Sequence, residues 1–161
     1  MDNTQAEAIK DFVAEHPDGV IATVASDGKP QASVVYFSVD DKLQFFFTTK
    51  SSTRKAQNLG DSGEVSIAIH DAPTQSVLKA AGPAFRLTNQ DEIMTVYRQT
   101  VHGAKSSGPD TVPPIARIAA GEFTAFRIEP TFLDFVSYSQ GDSFKKAMEH
   151  ATDQPSTGDP S

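Results

Sequence analysis

The sequence has no cysteine, which excludes disulfide bonds, thiolate catalysis and cysteine metal sites. Positive charge is in deficit: 14 Lys and Arg oppose 21 Asp and Glu, and the net charge of -7 would repel nucleic acids and anionic membranes. No apolar run is long enough to cross a bilayer, and the first residues lack the basic and apolar segments of a secretion signal. We therefore expect a cytoplasmic protein, and only small phosphorylated ligands remain compatible with its charge.

Signals of hydrolytic or metal catalysis are also missing. The four histidines are widely spaced, with no H-x-x-x-H or H-x-H pair, so we expect no metal site. No G-x-S-x-G motif marks a nucleophile. The paired acids at 40–41 and 91–92 fall at a turn and in a first helical turn, where solvation and the helix dipole account for them. The sequence therefore offers no candidate catalytic acid, base or nucleophile.

The 161 residues, 38% of them hydrophobic and 22% charged, indicate one domain with a sizeable core. Residues 151–161 are almost entirely Asp, Gln, Pro, Ser, Thr and Gly, and we expect disorder from about residue 151. We assign the domain to residues 1–140 and a C-terminal extension to residues 141–161.

Turn signals and hydrophobic periodicity predict mostly strands. They are expected over residues 20–25, 31–39, 43–49, 65–69, 76–87, 123–128 and 132–138. Asp27-Gly28 predicts a hairpin between the first two strands, Gly82-Pro83 a break in the fifth, and Glu129-Pro130 the turn of a last hairpin.

Helices are predicted before, between and after these strands. Thr4 and Glu7 form the pattern of a capping box for the first helix, and Asn89 with Glu92 opens the third, whose apolar stripe over residues 93–101 should pack on the sheet. Residues 102–114 are predicted to be a surface loop. The fold class is therefore mainly β: a six- to seven-stranded antiparallel barrel with peripheral helices.

The strands predicted at 31–39 and 43–49 are apolar on both faces, in the runs 34–37 and 45–47. A strand of this kind needs the core on one side and a second cover on the other. We expect a partner subunit or a ligand to provide that second cover.

An apolar strand leads directly into hydroxyls and cations at a helix start, over residues 45–59. Ser52 or Thr53 can cap the helix, which leaves first-turn N–H groups without intrahelical partners. Arg54 and Lys55 add two positive charges at the same end, and residues 50–55 include no acid. We interpret this segment as a phosphate-binding site; the alternative is an ordinary cap followed by two solvated cations.

The order of these motifs resembles the pyridoxamine 5'-phosphate oxidase-like FMN-binding split barrels, over about residues 5–138. The resemblance is carried by GVIATV at 19–24, DGKP at 27–30, SVVY at 33–36, FTT at 47–49 and STRKA at 52–56. It implies a split barrel that forms a homodimer, with FMN in a cleft at the subunit interface.

The resemblance also implies which residues bind FMN. The isoalloxazine ring would be lined, largely through backbone groups, by Ser33, Val34, Val35 and Tyr36. The phosphate would be held at the end of the third strand and the start of the helix, by Thr48, Thr49, Ser52, Thr53, Arg54 and Lys55. Tyr36 and Arg86 are also candidates to face the ligand cleft; the alternatives are a place in the dimer core for Tyr36 and a solvated strand position for Arg86.

The implied activity is that of a flavin-dependent oxidoreductase. The chain has no tryptophan, and residues 100–114 and 137–144 hold a single cation, Lys105, where true pyridoxamine-phosphate oxidases carry basic substrate segments. We therefore expect a different small substrate. The alternatives are an F420 (deazaflavin) reductase on the same barrel, a non-enzymatic flavin- or haem-binding or stress protein, and a protein-interaction barrel with an empty cleft.

Overall fold

A computed structural model describes residues 1–106 and 121–137, with three helices and eight strands in this part of the chain. The helices are α1 (Asn3–Glu15), α2 (Arg54–Leu59) and α3 (Gln90–Ser106). The strands are β1 (Asp18–Val24), β2 (Pro30–Tyr36), β3 (Ser38–Val39), β4 (Phe45–Lys50), β5 (Ser62–Asp71), β6 (Ser76–Arg86), β7 (Phe123–Ile128) and β8 (Phe132–Val136). None of these three helices combines the length and the hydropathy needed to cross a bilayer. The predicted extension over residues 141–161 and most of the predicted loop over residues 102–114 lie outside the described residues.

The strands form one antiparallel sheet in the order β2-β1-β5-β6-β7-β4-β3, with β8 also paired to β6. The outermost strands, β2 and β3, are separated in sequence only by Phe37, so the curled sheet brings one end of each edge strand together at this residue. The buried ring of Phe37 contacts the rings of Phe45 and Phe47 at the junction. The mainly β split barrel is thus confirmed, and the eighth strand arises because the predicted strand 31–39 divides at Phe37.

The inner face of the curled sheet holds the main core. The alternation predicted for β5 is confirmed, since Val65, Ile67 and Ile69 are all buried. Phe47 on β4 stacks on Phe126 of β7, with ring centroids 5.3 Å apart. The apolar stripe of α1 closes this core through Ile9, Phe12 and Val13.

The strand β4 is covered on its second face by α3. Phe46 packs there against a separate cluster that includes Leu87, Ile93 and Val96. The expectation of a partner subunit or a ligand on this face is therefore wrong for β4: the cover comes from the same chain. The predicted packing of α3 on the sheet is confirmed.

The first helix is capped two residues earlier than expected. Gln5 donates its backbone N–H to the Asp2 carboxylate, and its side-chain Oε1 accepts from the Asp2 backbone N–H at 3.1 Å. This reciprocal pair makes Asp2 the N-cap and places Thr4 inside the first turn, so the predicted Thr4–Glu7 box is wrong. Glu7 instead pairs with Lys10.

The strands β7 and β8 do not form the predicted hairpin. Both pair with β6, β7 over Ala84–Arg86 and β8 over residues 77–81. The ladder continues between them, because Glu129 N–H donates to the Pro83 carbonyl and Thr131 N–H to the Ala81 carbonyl. The Gly82-Pro83 break is therefore where β6 changes partner, while its ladder with β5 runs through uninterrupted.

The third helix is longer than predicted. Asn89 accepts a hydrogen bond from the Glu92 backbone N–H at 3.0 Å, as expected of the cap. The helix then continues to Ser106, so residues 102–106 are not part of a loop. It continues because its buried stripe extends to Ala104.

Candidate functional site

The turn from β4 into α2 is set by Thr53. Its backbone is extended, with φ -76° and ψ 154°, and its hydroxyl accepts from the Ala56 backbone N–H. Thr53 is therefore the N-cap, which resolves the choice between it and the exposed Ser52. The backbone N–H groups of Arg54 and Lys55 belong to the first turn and have no intrahelical partner.

A directional chain of hydrogen bonds joins the end of β4 to α2. The Thr53 hydroxyl donates to the Lys50 carbonyl at 2.9 Å, so in its 3.2 Å contact with Thr49 it must accept. Lys55 Nζ in turn donates to Thr49 Oγ1 at 3.3 Å. One ammonium proton is thus engaged, and within residues 1–106 and 121–137 no partner takes the other two, which can donate to a ligand.

The positive charge at this turn comes mainly from side chains. The helix has only six residues, so its dipole is small compared with that of longer helices. Lys55 is half-buried, and desolvation lowers the pKa of its ammonium. Arg54 is exposed, and no described acidic group pairs with either cation. The turn therefore holds uncompensated positive charge, which an anion would neutralise.

The two adjacent threonines of β4 lie on opposite faces of the sheet. Thr49 faces α2 and belongs to the hydrogen-bond chain, whereas Thr48 lies on the Phe46 side. Thr48 Oγ1 is buried without a hydrogen-bond partner in the described part of the chain. An unsatisfied buried hydroxyl of this kind costs about 1–3 kcal/mol. Because this oxygen is buried on the face opposite α2, the structure does not bring Thr48 together with the other predicted phosphate-binding side chains.

The strand β2 lies at one edge of the sheet and pairs, among the described residues, only with β1. Hydrogen bonds run from Ala25 N–H to the Lys29 carbonyl and from Phe37 N–H to the Pro17 carbonyl. They show which residues of β2 direct their backbone groups toward β1. Because paired positions alternate in an antiparallel ladder, the backbone groups of Val34 and Tyr36 point to the free edge. The backbone contacts expected from this strand are therefore geometrically available at those two residues.

The side chains of β2 alternate between core and solvent. Val35 is buried in the main core, and Ser33 lies on the same side. Val34 is 68% exposed and sits opposite Val20, which is 42% exposed, and Val24 on the same face is 52% exposed. The valines at 20, 24 and 34 thus form an outer apolar surface on the second face of β2, and the expected cover of this face by a partner subunit or a ligand stays a prediction.

Asn58 and Arg86 hold α2 in place, a role that the sequence did not predict for either residue. Asn58 donates to Thr23 Oγ1 on β1 at 3.0 Å and to Gln31 Oε1 on β2 at 3.2 Å, which fixes α2 beside the edge strand. Arg86 is half-buried and hydrogen-bonded to carbonyls of α2, so it is not a solvated strand residue. Nothing in the local pattern distinguishes either side chain from an ordinary polar one.

A separate cavity of about 610 Å³ lies between α1, β3 and α3, lined by residues such as Lys10, Phe37 and His102. None of the predicted cofactor residues lines it. Within residues 1–106 and 121–137 there is also no cluster of three or more groups that could hold a metal ion. The candidate site is thus an open surface at the β2 edge and the α2 turn.

The family model described as pyridoxamine 5'-phosphate oxidase matches residues 5–136. The chain therefore belongs to the pyridoxamine 5'-phosphate oxidase family. One curated relative, the pyridoxine/pyridoxamine 5'-phosphate oxidase of Streptomyces avermitilis, is 30% identical over 101 residues, which are 62% of this chain and 45% of that protein. The chain thus spans less than half the length of this curated relative.

Solved structures share the fold. A pyridoxamine 5'-phosphate oxidase-related, FMN binding protein from Nostoc punctiforme has a TM-score of 0.63 and 15% identity, covering 88% of this chain and 87% of that one. A heme binding protein from Mycobacterium smegmatis has a TM-score of 0.66 and 18% identity, covering 93% of this chain and 60% of that one. The same barrel is thus found in an FMN-binding and in a heme-binding protein.

Proposed function

We propose that this protein binds FMN and uses it as an oxidoreductase on a small substrate. The observation that carries the proposal is the half-buried ammonium of Lys55, which donates to Thr49 at the end of β4 and has no acidic partner among the described residues. Family membership supports it, because the family model spans this turn.

The phosphate of FMN fits the α2 turn. Lys55 has two ammonium protons left to donate, and the first-turn N–H groups of Arg54 and Lys55 lack partners inside the helix. Arg54 is exposed beside them and adds a second full charge. A phosphate here would accept charge-assisted hydrogen bonds. Its negative charge would offset the free-energy cost of desolvating the Lys55 ammonium.

The ring of FMN would lie along the free edge of β2, where the backbone groups of Val34 and Tyr36 are accessible. The valines at 20, 24 and 34 leave an apolar surface beside that edge. A second copy of the chain would bury this surface and complete a dry cleft. We therefore propose a homodimer with the cofactor between its subunits.

Bound FMN would supply the electron transfer in this reaction. The chain would hold the phosphate at Lys55 and Arg54, orient the ring along β2 and exclude water from the cleft. Haem or deazaflavin binding without flavin chemistry is the rival proposal, supported by the fold shared with a heme binding protein.

The decisive test compares FMN with riboflavin, which lacks the phosphate, in the wild type, Arg54→Ala and Lys55→Ala. Flavin fluorescence titrations should show FMN affinity reduced roughly ten- to a hundred-fold in each variant, since a charge-assisted hydrogen bond contributes about 1.5–3 kcal/mol. Riboflavin should bind weakly and equally to all three. Lys50→Ala is the matched control, because Lys50 is an exposed cation of the same turn and should leave FMN affinity unchanged.

Equal FMN affinity in the wild type and both variants would refute the phosphate site. Absorbance separates the rivals: flavin bands bleached by a nicotinamide donor support the proposed oxidoreductase. A Soret band, or a protein that takes up no flavin, supports the alternatives.

A further inference from the structure

The guanidinium of Arg86 connects the C-terminal end of α2 to β7. Its Nε donates to the Gly60 carbonyl at 2.7 Å and its Nη2 to the Ala56 carbonyl at 3.1 Å. Its Nη1 donates to Thr124 Oγ1 at 3.0 Å, and the group lies 5.0 Å above the centre of the Phe126 ring. Three donors of one planar group are thus used in three directions, which a lysine could not reproduce.

The position of Thr124 relates this contact to the phosphate turn. Thr124 lies directly opposite Thr49 in the β4–β7 ladder, so the two side chains share a face. Thr49 holds the N-terminal end of α2 through Thr53 and Lys55. One cross-strand pair therefore anchors both ends of the helix, with Arg86 making the second connection.

The helix needs such support. A helix of six residues is far too short to be stable alone, because nucleation is costly and few bonds repay it. At its C-terminal end the Ala56 carbonyl accepts from the Gly60 backbone N–H, and Arg86 adds a second donor to that carbonyl and one to the carbonyl of the cap residue Gly60. The guanidinium also places a cation at the end of the helix where positive charge is favourable.

We propose that Arg86 is a positioning residue, which acts through α2 to hold Arg54 and Lys55 in place for the ligand phosphate. The part concerning the phosphate rests on the proposed function, whereas the part concerning α2 does not. Arg86 itself contacts no ligand in this scheme: it fixes the helix that carries the ligand-binding groups.

The first test measures hydrogen exchange of the α2 amides in ligand-free protein, so it needs no cofactor. Arg86→Met keeps an unbranched stem over Phe126 but removes every donor. Exchange at Gln57 to Gly60 should accelerate at least tenfold, while the amides of β5 should stay as protected as in the wild type. Uniform acceleration in both elements, or none in α2, would overturn the proposal.

The second test measures FMN and riboflavin affinity in the same variants. Arg86→Met should weaken FMN binding roughly tenfold, as expected for loss of a few directed hydrogen bonds, and leave riboflavin unchanged. Arg86→Lys should recover little, because it keeps the charge but not the fork. Equal losses for both ligands would indicate a general structural role and would refute the positioning of Arg54 and Lys55.

Two further variants keep the tests interpretable. Arg127→Met is the matched control: Arg127 lies one strand away, with its guanidinium over the Phe85 ring and paired with Glu129, and it should change neither readout. Thr124→Val, a nearly isosteric change, should reproduce part of the α2 effect even if Arg86→Met does not fold. If the wild type binds no FMN, the proposed function fails, but hydrogen exchange still decides whether Arg86 holds α2.

Discussion

The strands β2 and β4 share one sequence pattern but meet different surroundings. Both are apolar on both faces, and both bury one face in the main core through Val35 and Phe47. On β4 the second face is covered by α3, where Phe46 packs. On β2 the second face is open, and Val34 remains 68% exposed. The apolar pattern thus indicates that both faces of a strand need to be buried. Only the fold shows which of the two faces is buried by the same chain.

A carboxylate placed on the second face of either strand tests this difference, and we expect the larger loss of stability on β4. Phe46→Asp removes a ring from the cluster that contains Leu87, Ile93 and Val96, and places a carboxylate against it. The free energy of unfolding should fall by about 3 kcal/mol or more, measured by urea denaturation. Phe46→Leu, which keeps an apolar side chain, should lose about 1 kcal/mol. If Phe46→Asp changed the oligomeric state but not the stability, β4 and β2 would be equivalent after all.

On β2 the same change should affect assembly instead of folding. Val34→Asp puts a carboxylate at the centre of the exposed valines, so the proposed dimer should dissociate to monomers by sedimentation at micromolar concentration. The stability of the monomer should change by less than about 0.5 kcal/mol, as for other exposed positions. Thr95→Asp, at an exposed site on α3, should leave the dimer intact. A wild type that is already monomeric at this concentration would refute both the proposed dimer and the cofactor cleft at its interface.

The smallest effect concerns Lys55, in the first turn of α2, whose half-buried ammonium contacts Thr49 at the end of β4. Burial lowers the pKa of the ammonium, and a phosphate beside it favours the charged form, so FMN binding takes up a proton at alkaline pH. FMN affinity should therefore fall as pH rises through the lowered pKa, by no more than the loss expected for Lys55→Ala. Without ligand the sign reverses: the unfolded state binds more protons in this window, so stability rises with pH.

The matched variant for this titration is Lys55→Arg, whose guanidinium stays charged throughout. Its FMN affinity should not change over the same alkaline range. A parallel fall in both proteins would assign the pH dependence to another group.

Local features were well predicted from the sequence. The Asp27-Gly28 hairpin, the alternation of β5 and the Asn89 cap are all confirmed. Each depends on residues within one or two turns of the chain, where spacing and backbone preference decide the outcome. The family resemblance, which rests on the same short motifs, is confirmed as well.

Features that depend on distant partners were missed. Glu129-Pro130 has the composition of a hairpin turn, but β6 offers a continuous ladder on which β7 and β8 align one after the other. Asn58 and Arg86 hold α2 through partners 26 or more positions away. Hydrophobic periodicity and short motifs cannot reveal such contacts, because the partner residues come together only in the folded sheet. The assignment of the cofactor residues remains a prediction for the titrations to decide.

The pairing of β4 has a consequence for how the molecule assembles. Its neighbours are the two-residue strand β3, which lies next to it in sequence, and β7, which lies near the end of the described chain. Closing so long a loop is slow and entropically costly, so this ladder should form late in folding. During synthesis, the end of β4 from Thr48 to Lys50 can therefore pair only after Phe123, Thr124 and Ala125 have left the ribosome. The region proposed to bind the phosphate would then be completed late, with only β8 following it in the described chain.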